Sequence, residues 1–416
     1  MSPPAEKTVS AKVRENNYHV QHSLHQVAQL SETDFHRFSP LLTGAERNAI
    51  DRERSGEDNA GQVWDETVDA RTKYAKYASA KGATGECVRV NVEEKRQALD
   101  RRLRRRFKKL LAKHELAPPI QAFERWVFNA RSNATHKQRK DPLLPMNVTS
   151  EDGLVADLVR AGLAEKAAKQ LVKELGKEST ACVQELLDLD AKEAKDTSPQ
   201  EVVISTHTNS IDVTCGKSFC KLSPAHFAKL KTLYMRHSGR SDETDFPRAL
   251  MTLLLRYQSL LGHGFQAALP NVAFAILHRE LGVDMECFAS PLNARWGAHC
   301  SAFPDTDAPF GSLGDFFAFK PHEGSFEVNP PFVRPIMEKS ALHVVTLLER
   351  AEGCAKALSF VVILPAWEEC ACWDLLKGSR WLQGMTLLPG GKHGFLDGAQ
   401  HQRMDKYRPS PYPTAI

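Results

Sequence analysis

The sequence predicts an α/β fold preceded by a mainly helical domain. In the first half of the chain, apolar residues recur at three- and four-residue steps, as they do on one face of a helix, and this pattern predicts helices at 120–131 and 154–175 among others. In the second half, short β-branched and aromatic runs alternate with helical patterns. The length of 416 residues exceeds what one core usually organises. We therefore predict a helical domain over 1–195 and an α/β domain over 196–416, divided within the polar stretch 190–200.

The composition excludes several classes of protein. With 42% hydrophobic and 25% charged residues, the chain is neither collagenous nor fully disordered. No run approaches the roughly 18 apolar residues of a membrane helix, and the N-terminus has no apolar core typical of a secretory signal. Its 9 cysteines are an odd number at irregular spacings, which favours reduced thiols. We expect a protein without membrane association that is nuclear, or also cytoplasmic.

Basic residues concentrate in one segment of the predicted helical domain. Residues 89–140 hold 16 Lys and Arg against 5 Asp and Glu, an excess of +11 in a chain whose net charge is +4. Leu99, Leu103 and Phe107 mark the apolar stripe of a helix, and most of the basic side chains fall off that stripe. Such a cluster predicts a surface that contacts a phosphate backbone. The alternative is a solvated helix face. The residues predicted to bind RNA are Arg101, Arg102, Arg105 and Lys109.

The second half predicts strands joined by helical crossovers. Strands are expected at 285–289, 325–328 and 358–364, with helices at 273–281 and 336–350. Apolar strands with intervening helices are typical of an open, mostly parallel sheet. Ligands bind such sheets outside the carboxyl ends of the strands.

Asn329, Pro330, Pro331 and Phe332 stand directly after one predicted strand and before a helix. The two prolines fix the backbone and lack amide donors, so the Asn329 side-chain oxygen and the Pro330 carbonyl remain as rigid acceptors. Such a pair suits a planar NH2 group, and hydrogen bonds from both amine hydrogens would make its lone pair more available. Phe332 would stack on the ring that carries the amine. The motif therefore predicts methylation of an amino group, although a diproline is also common as a loop stiffener.

Several segments together resemble the phosphorylated C-terminal-domain interacting factor family, the cap-specific adenosine N(6)-methyltransferases. The resemblance covers about 212–401. The matching segments are 257–262 (YQSLLG), 266–270 (QAALP), 286–293 (ECFASPLN), 300–307 (CSAFPDTD), 310–312 (FGS), 324–332 (GSFEVNPPF) and 358–367 (LSFVVILPAW).

The resemblance implies an enzyme of mRNA processing that uses S-adenosyl-L-methionine. Its substrate would be the 6-amino group of the 2'-O-methyladenosine next to the 7-methylguanosine cap of mRNA. It also implies a Rossmann-type methyltransferase domain beside a helical domain, with a positively charged groove for RNA to which the basic helix contributes. On this interpretation Asn329, Pro330 and Pro331 form the catalytic corner and Phe332 stacks on the adenine.

The cofactor site is predicted less directly. The chain has no glycine-rich loop after the first strand of the predicted sheet, and a sulfonium cofactor carries no phosphate for such a loop to bind. Residues predicted to bind the cofactor are Ser290, Pro291, Asn293, Phe303, Asp305, Asp307 and Gln266. No metal site is predicted, because Cys370-Ala371-Cys372 lacks a second pair of ligands.

The expected partner is capped mRNA, and the expected assembly is a monomer or a weak dimer. No WW module is seen, so a link to RNA polymerase II is in doubt. Two alternatives stay open: an amino-methyltransferase acting on DNA, internal RNA or protein glutamine, and a non-catalytic protein that binds cap or RNA.

Overall fold

The computed structural model describes residues 63–78, 89–133, 140–146, 153–194, 200–239, 243–260, 263–402 and 407–416. The helices are α1 (Arg71–Tyr74), α2 (Val90–Ala112), α3 (Ala122–Asn133), α4 (Leu154–Arg160), α5 (Glu165–Glu193), α6 (Pro224–His237), α7 (Phe246–Ser259), α8 (Asn271–Leu281), α9 (Pro304–Asp307), α10 (Arg334–Gly353) and α11 (Ala371–Lys377). Short 3-10 helices span Ala75–Tyr77, His263–Gln266, Ala308–Phe310 and Phe316–Ala318.

The strands of the described residues form four small sheets. Their bounds are β1 (Val203–Thr206), β2 (Ile211–Cys215), β3 (Ser218–Leu222), β4 (Glu286–Ala289), β5 (His299–Ser301), β6 (Gly324–Val328), β7 (Leu358–Val362), β8 (Leu364–Pro365), β9 (Leu387–Leu388), β10 (Gly394–Leu396), β11 (Tyr407–Pro409) and β12 (Thr414–Ala415). The sheet orders are β1-β2-β3, β10-β11, β8-β12-β9 and β5-β4-β6-β7.

By its contacts the chain divides into two compact units. The first contains Met1–Ala83, Ser223–Ser238 and His263–Ile416, and the second contains Thr84–Leu222 and Gly239–Gly262. The predicted boundary between residues 195 and 196 lies outside the described residues. The second unit differs from the predicted helical domain because it also includes the β1-β2-β3 sheet and α7.

The first unit is built on the four-stranded sheet, whose neighbouring strands all pair in parallel. Buried apolar side chains cover it in two large clusters, one around Phe274 and Trp296 and one around Phe319 and Phe326. Tyr74 is fully buried in the second cluster and packs edge-on against Phe319. The predicted α/β class is confirmed by this parallel sheet and its helices.

The second unit is mainly helical, with α2 packed against α5 and α7. The predicted stripe on α2 is buried, including Leu99, Leu103 and Phe107. Its small antiparallel sheet buries alternate residues of β2, as a sheet with one solvated face does.

One predicted helix is divided in two. The apolar period from 154 to 175 predicts a continuous helix, whereas α4 ends at Arg160 and α5 begins at Glu165. Gly162 lies between them at φ 99°, a left-handed conformation that glycine adopts readily. The periodicity survives the break because both helices bury apolar side chains in the same unit.

No helix in the described part of the chain is long and apolar enough to cross a membrane. Within the same residues, no group of three or more His, Cys, Asp and Glu side chains is arranged to hold a metal ion.

Candidate active site at the carboxyl edge of the parallel sheet

The strand order of the parallel sheet reverses at β4. Its sequence successor β5 pairs on one side, whereas β6 and then β7 continue on the other side. A crevice forms at such a reversal, outside the carboxyl ends of the two strands. Here β4 ends at Ala289 and β6 ends at Val328. The segments that begin at Ser290 and at Asn329 therefore follow neighbouring strands at this edge. Both motifs lie where open α/β sheets bind their ligands, as the sequence predicted.

The Asn329 side chain is oriented by a backbone carbonyl. Its Nδ2 donates a hydrogen bond to the Ala267 oxygen at 3.2 Å. This contact uses the donor side of the amide and leaves Oδ1 as an acceptor, with no protein donor among the described residues. The residue as a whole is 8% exposed. An acceptor without a protein donor in such a largely enclosed position is available to a ligand that brings its own N–H.

The diproline supplies a second acceptor directly after Asn329 in the chain. The Pro331 oxygen accepts from the Val333 amide at 2.6 Å, and α10 begins directly afterwards. Pro330 is buried as a residue, and no described backbone amide donates to its carbonyl oxygen. Because neither proline has an N–H, the two prolines themselves present acceptors only.

Phe332 closes the motif with an aromatic ring. It is half-buried and lies edge-on to Phe395 of β10, with centroids 5.8 Å apart and planes at 81°. Phe395 packs in the same manner against His393 at 5.9 Å. The sequence did not link these two residues to the motif, because they lie 61 and 63 positions beyond Phe332 and no periodicity connects them to it. The partner ring holds Phe332 in place while part of its surface stays accessible.

The residues after β4 form a closed turn. Asn293 Oδ1 accepts from the Ser290 amide at 2.7 Å and from the Ser290 hydroxyl at 2.8 Å. Asn293 Nδ2 donates to the Gln266 carbonyl at 2.8 Å. Ser290, Pro291 and Asn293 are all buried, whereas Gln266 is half-buried at the end of a 3-10 helix. The structure thus connects Gln266 to the turn at 290–293, which the sequence predicted from a separate segment.

The residues predicted after β5 differ in exposure. Phe303 and Asp307 are fully buried, and Asp307 Oδ1 accepts from the Thr306 hydroxyl at 2.8 Å. Asp305 is exposed on the short helix α9. Asp305 is therefore the one of these three that solvent reaches directly, while Phe303 and Asp307 support the segment from inside. Their predicted contacts with a cofactor stay predictions.

A row of buried titratable groups crosses the sheet beneath this edge. Glu286 of β4 stands opposite His299 of β5 and Glu327 of β6, so the three side chains share one face. Burial raises the pKa of both carboxyls and lowers the pKa of His299 to about 3. Glu286 accepts from the Arg295 amide at 2.6 Å, and buried Lys229 donates to the Ala294 oxygen at 2.6 Å. These buried polar groups brace the segment that follows Asn293.

The predicted RNA-binding residues lie on α2, in the second unit, and differ in how they are paired. Arg102 forms ion pairs with Glu178 at 2.9 Å and Glu185 at 2.7 Å, both on α5. Arg101 donates to the neutral Gln97 side chain at 2.7 Å. Arg105 and Lys109 are exposed and have no acidic partner among the described residues. The sequence could not separate these cases, because the acidic side chains that pair with Arg102 are about 80 residues away.

Comparison with known proteins matches the part of the chain that holds this edge. Residues 229–398 match the family model described as Phosphorylated CTD interacting factor 1 WW domain. The chain is similar to the mRNA (2'-O-methyladenosine-N(6)-)-methyltransferase of Mus musculus, with 42% identity over 192 residues that cover 44% of this chain and 26% of the relative. For the Homo sapiens protein of the same name, the identity is 42% and the relative is covered to 27%. The chain thus spans about a quarter of the length of these relatives.

The family description contains a WW domain, so the prediction that the chain has no WW module is not supported by this match. In the structure, the matched residues form most of α6, the α7 helix, the four-stranded parallel sheet and the helices that connect its strands. The resemblance that the motifs predicted is confirmed for this part of the chain: residues 229–398 carry the sequence pattern of the phosphorylated C-terminal-domain interacting factor family.

Proposed function

We propose that this protein methylates the 6-amino group of the adenosine next to the cap of mRNA, with S-adenosyl-L-methionine as methyl donor. One observation carries the proposal. At the carboxyl edge of the sheet, the Asn329 amide nitrogen donates to the Ala267 carbonyl, which leaves Asn329 Oδ1 as an acceptor without a donor from the described residues, and Pro330 follows directly in the chain. The names of the similar proteins support the choice of substrate.

The two acceptors suit an exocyclic amino group. They would accept one hydrogen bond from each amine hydrogen and turn the nitrogen lone pair out of conjugation with the ring. Phe332 would hold the ring plane, which is worth roughly 1 to 3 kcal/mol at comparable nucleobase sites. No strong base is needed, since the amine loses its proton readily once it is alkylated. Positioning at this corner therefore carries the rate.

The residues at the edge fit a cofactor that carries positive charge and no phosphate. Asp305 offers an exposed carboxylate, and no glycine-rich phosphate loop follows β4. When bound, S-adenosyl-L-methionine supplies an electrophilic methyl group. The chain's own residues would shape its pocket through the closed Ser290–Asn293 turn and the Asp305 carboxylate. The parallel sheet with a reversal at β4 supports a Rossmann-type methyltransferase domain.

The exposed side chains of α2 support a role in holding RNA. Arg101, Arg105 and Lys109 leave positive charge on the solvated face of the helix. We extend the proposal to a nuclear protein of mRNA processing that acts as a monomer or weak dimer. The family description also names a phosphorylated CTD, which supports a protein partner of that kind.

The test is methyl transfer to RNA that begins with adenosine, capped or uncapped, followed by mass spectrometry of the released nucleosides. Replacing Asn329 by Ala should lower turnover by about 100-fold, because one of the two oriented acceptors is lost. Asn209→Ala, at an exposed turn position, is the matched control and should keep wild-type turnover.

Each other outcome selects a different function. Equal labelling of capped and uncapped RNA would indicate a methyltransferase for internal RNA, and labelling of DNA or of a glutamine peptide instead would indicate those substrates. Cap-dependent binding without methyl incorporation by the wild type would indicate a cap or RNA binder. Equal turnover by the wild type and Asn329→Ala would refute the role of the corner.

A further inference from the structure

Two adjacent carbonyls connect the ends of β4 and β6. The Gln266 oxygen accepts from Asn293 Nδ2 at 2.8 Å, and the Ala267 oxygen accepts from Asn329 Nδ2 at 3.2 Å. Asn293 follows β4 and Asn329 follows β6, and these strands are neighbours in the sheet. Residues 266–268, here called the bridging segment, thus lie across both strand ends.

Two further contacts hold the bridging segment from its other side. Ala268 and Leu396 exchange both backbone hydrogen bonds, at 3.0 and 2.8 Å. Gly398 passes so close that a Cβ there would meet the Gln266 Cβ at 2.3 Å. The segment therefore has little room to move as long as these four contacts are present.

The hydrogen bonds of Asn293 favour a structural task over ligand contact. Its oxygen already accepts two bonds from Ser290, and its amide nitrogen donates to Gln266. The sequence predicted Asn293 as a cofactor ligand, but the structure leaves it one amide hydrogen for that purpose. We propose that Asn293 is a positioning residue that acts through the bridging segment to aim the Asn329 side-chain oxygen at the amino group of the substrate. This inference rests on the proposed function, because it assigns the residue that orients the same acceptor.

The orientation of the Asn329 side-chain amide decides whether an acceptor or a donor faces the substrate. An amide can present oxygen or nitrogen to a ligand after a half-turn about its last bond, and the two ends have opposite hydrogen-bonding character. The Ala267 carbonyl selects the productive orientation because it accepts only from the nitrogen end. If the carbonyl moves away, the nitrogen end turns toward the substrate NH2 for part of the time, and two donors then face each other.

Asn293→Asp is the informative substitution. The carboxylate keeps both bonds from Ser290 but sets a second oxygen against the Gln266 carbonyl, which pushes the bridging segment away. Gly398→Ala pushes the same segment from the other side, through Gln266 Cβ. Asn209→Asp makes the same change of charge at an exposed position and serves as the control.

In steady-state methylation of capped RNA, both variants should lower kcat by about 10- to 100-fold, the loss expected for a displacement of about 1 Å at a reacting group. The dissociation constant of S-adenosyl-L-methionine, measured by calorimetry, should stay within about threefold of wild type. The control should keep the wild-type kcat. A raised cofactor dissociation constant with unchanged kcat would show that Asn293 is a cofactor ligand and would overturn the proposal.

A second readout is independent of activity. In protein labelled with 15N-asparagine, the Asn329 side-chain NH2 signals are identified by their loss in Asn329→Ala. Asn293→Asp and Gly398→Ala should shift or broaden these signals, and Asn209→Asp should not. Unchanged signals in both variants would refute the coupling. If the wild type fails to methylate capped RNA, the proposed function falls, and this spectrum still decides whether Asn293 orients Asn329.

Discussion

The salt dependence of RNA binding gives a sharp test of α2. We consider the triple variant Arg101→Gln, Arg105→Gln, Lys109→Gln, which removes three exposed positive charges without acidic partners among the described residues. Each phosphate contact with single-stranded RNA contributes about 0.7 to the slope of log K against log salt. Three lost contacts should therefore reduce the slope by about 2. Between 50 and 200 mM salt, a fourfold change, wild-type affinity should then fall about 16-fold more than that of the variant.

Arg102→Gln is the comparison variant, chosen because the folded chain pairs Arg102 with acidic side chains. Its guanidinium already lies 2.9 Å from Glu178 and 2.7 Å from Glu185, and these ion pairs raise its pKa. Two carboxylates neutralise it, so it should release few counterions on RNA binding. We expect this variant to change the slope by much less than 0.7, the value for one full contact.

The assay is fluorescence anisotropy of a short labelled capped RNA, titrated at several KCl concentrations. Circular dichroism checks that each variant keeps its helix content. If the triple variant has the wild-type slope, the basic face of α2 is solvated and does not contact RNA. The slope change of Arg102→Gln is compared with one third of the change in the triple variant. If the two are equal, the ion pairs with Glu178 and Glu185 do not keep Arg102 from RNA, and our reasoning is wrong.

Two further predictions concern stability. Glu93 is 1% exposed, accepts from Arg256 at 2.6 Å and also pairs with Arg96. In urea titration, Glu93→Gln should therefore lower the free energy of unfolding by about 3 to 5 kcal/mol, whereas Glu185→Gln, at a more exposed ion pair, should lower it by less than about 1 kcal/mol. Equal effects of the two substitutions would contradict the importance of the buried pair. His299 is fully buried, with no hydrogen-bond partner for either ring nitrogen within the described residues, and burial lowers its pKa to about 3. Below about pH 6.5 the unfolded chain takes up this proton before the folded chain does, so stability should fall as the pH drops, by about 2 kcal/mol at pH 5. His299→Leu should remove this part of the acid sensitivity in denaturation curves at pH 7 and pH 5, and an unchanged pH dependence would contradict it.

The local sequence pattern was sufficient to predict those helices and strands whose position depends on residues adjacent in the sequence. The stripe through Leu103 on α2 is buried, and strand β6 ends immediately before Asn329, because helix and strand periods depend on nearby residues. The helix break at Gly162 was missed, since the apolar period continues across it. The burial of Phe303 could not be predicted for another reason: the exposure of a residue depends on the parts of the chain that fold over it.

The sequence by itself determined the α/β class, the position of the Asn329 corner after a strand and the basic character of α2, because periodicity and composition are local properties. Only the tertiary structure decided which oxygen of the corner stays free, which arginine of α2 is neutralised and which ring supports Phe332. Each of these depends on a partner far along the chain, Ala267, Glu185 or Phe395, that reaches its place only when the fold closes. Hydrogen bonds and ion pairs act over a few ångströms, so distance in the folded chain, and not along the sequence, sets them.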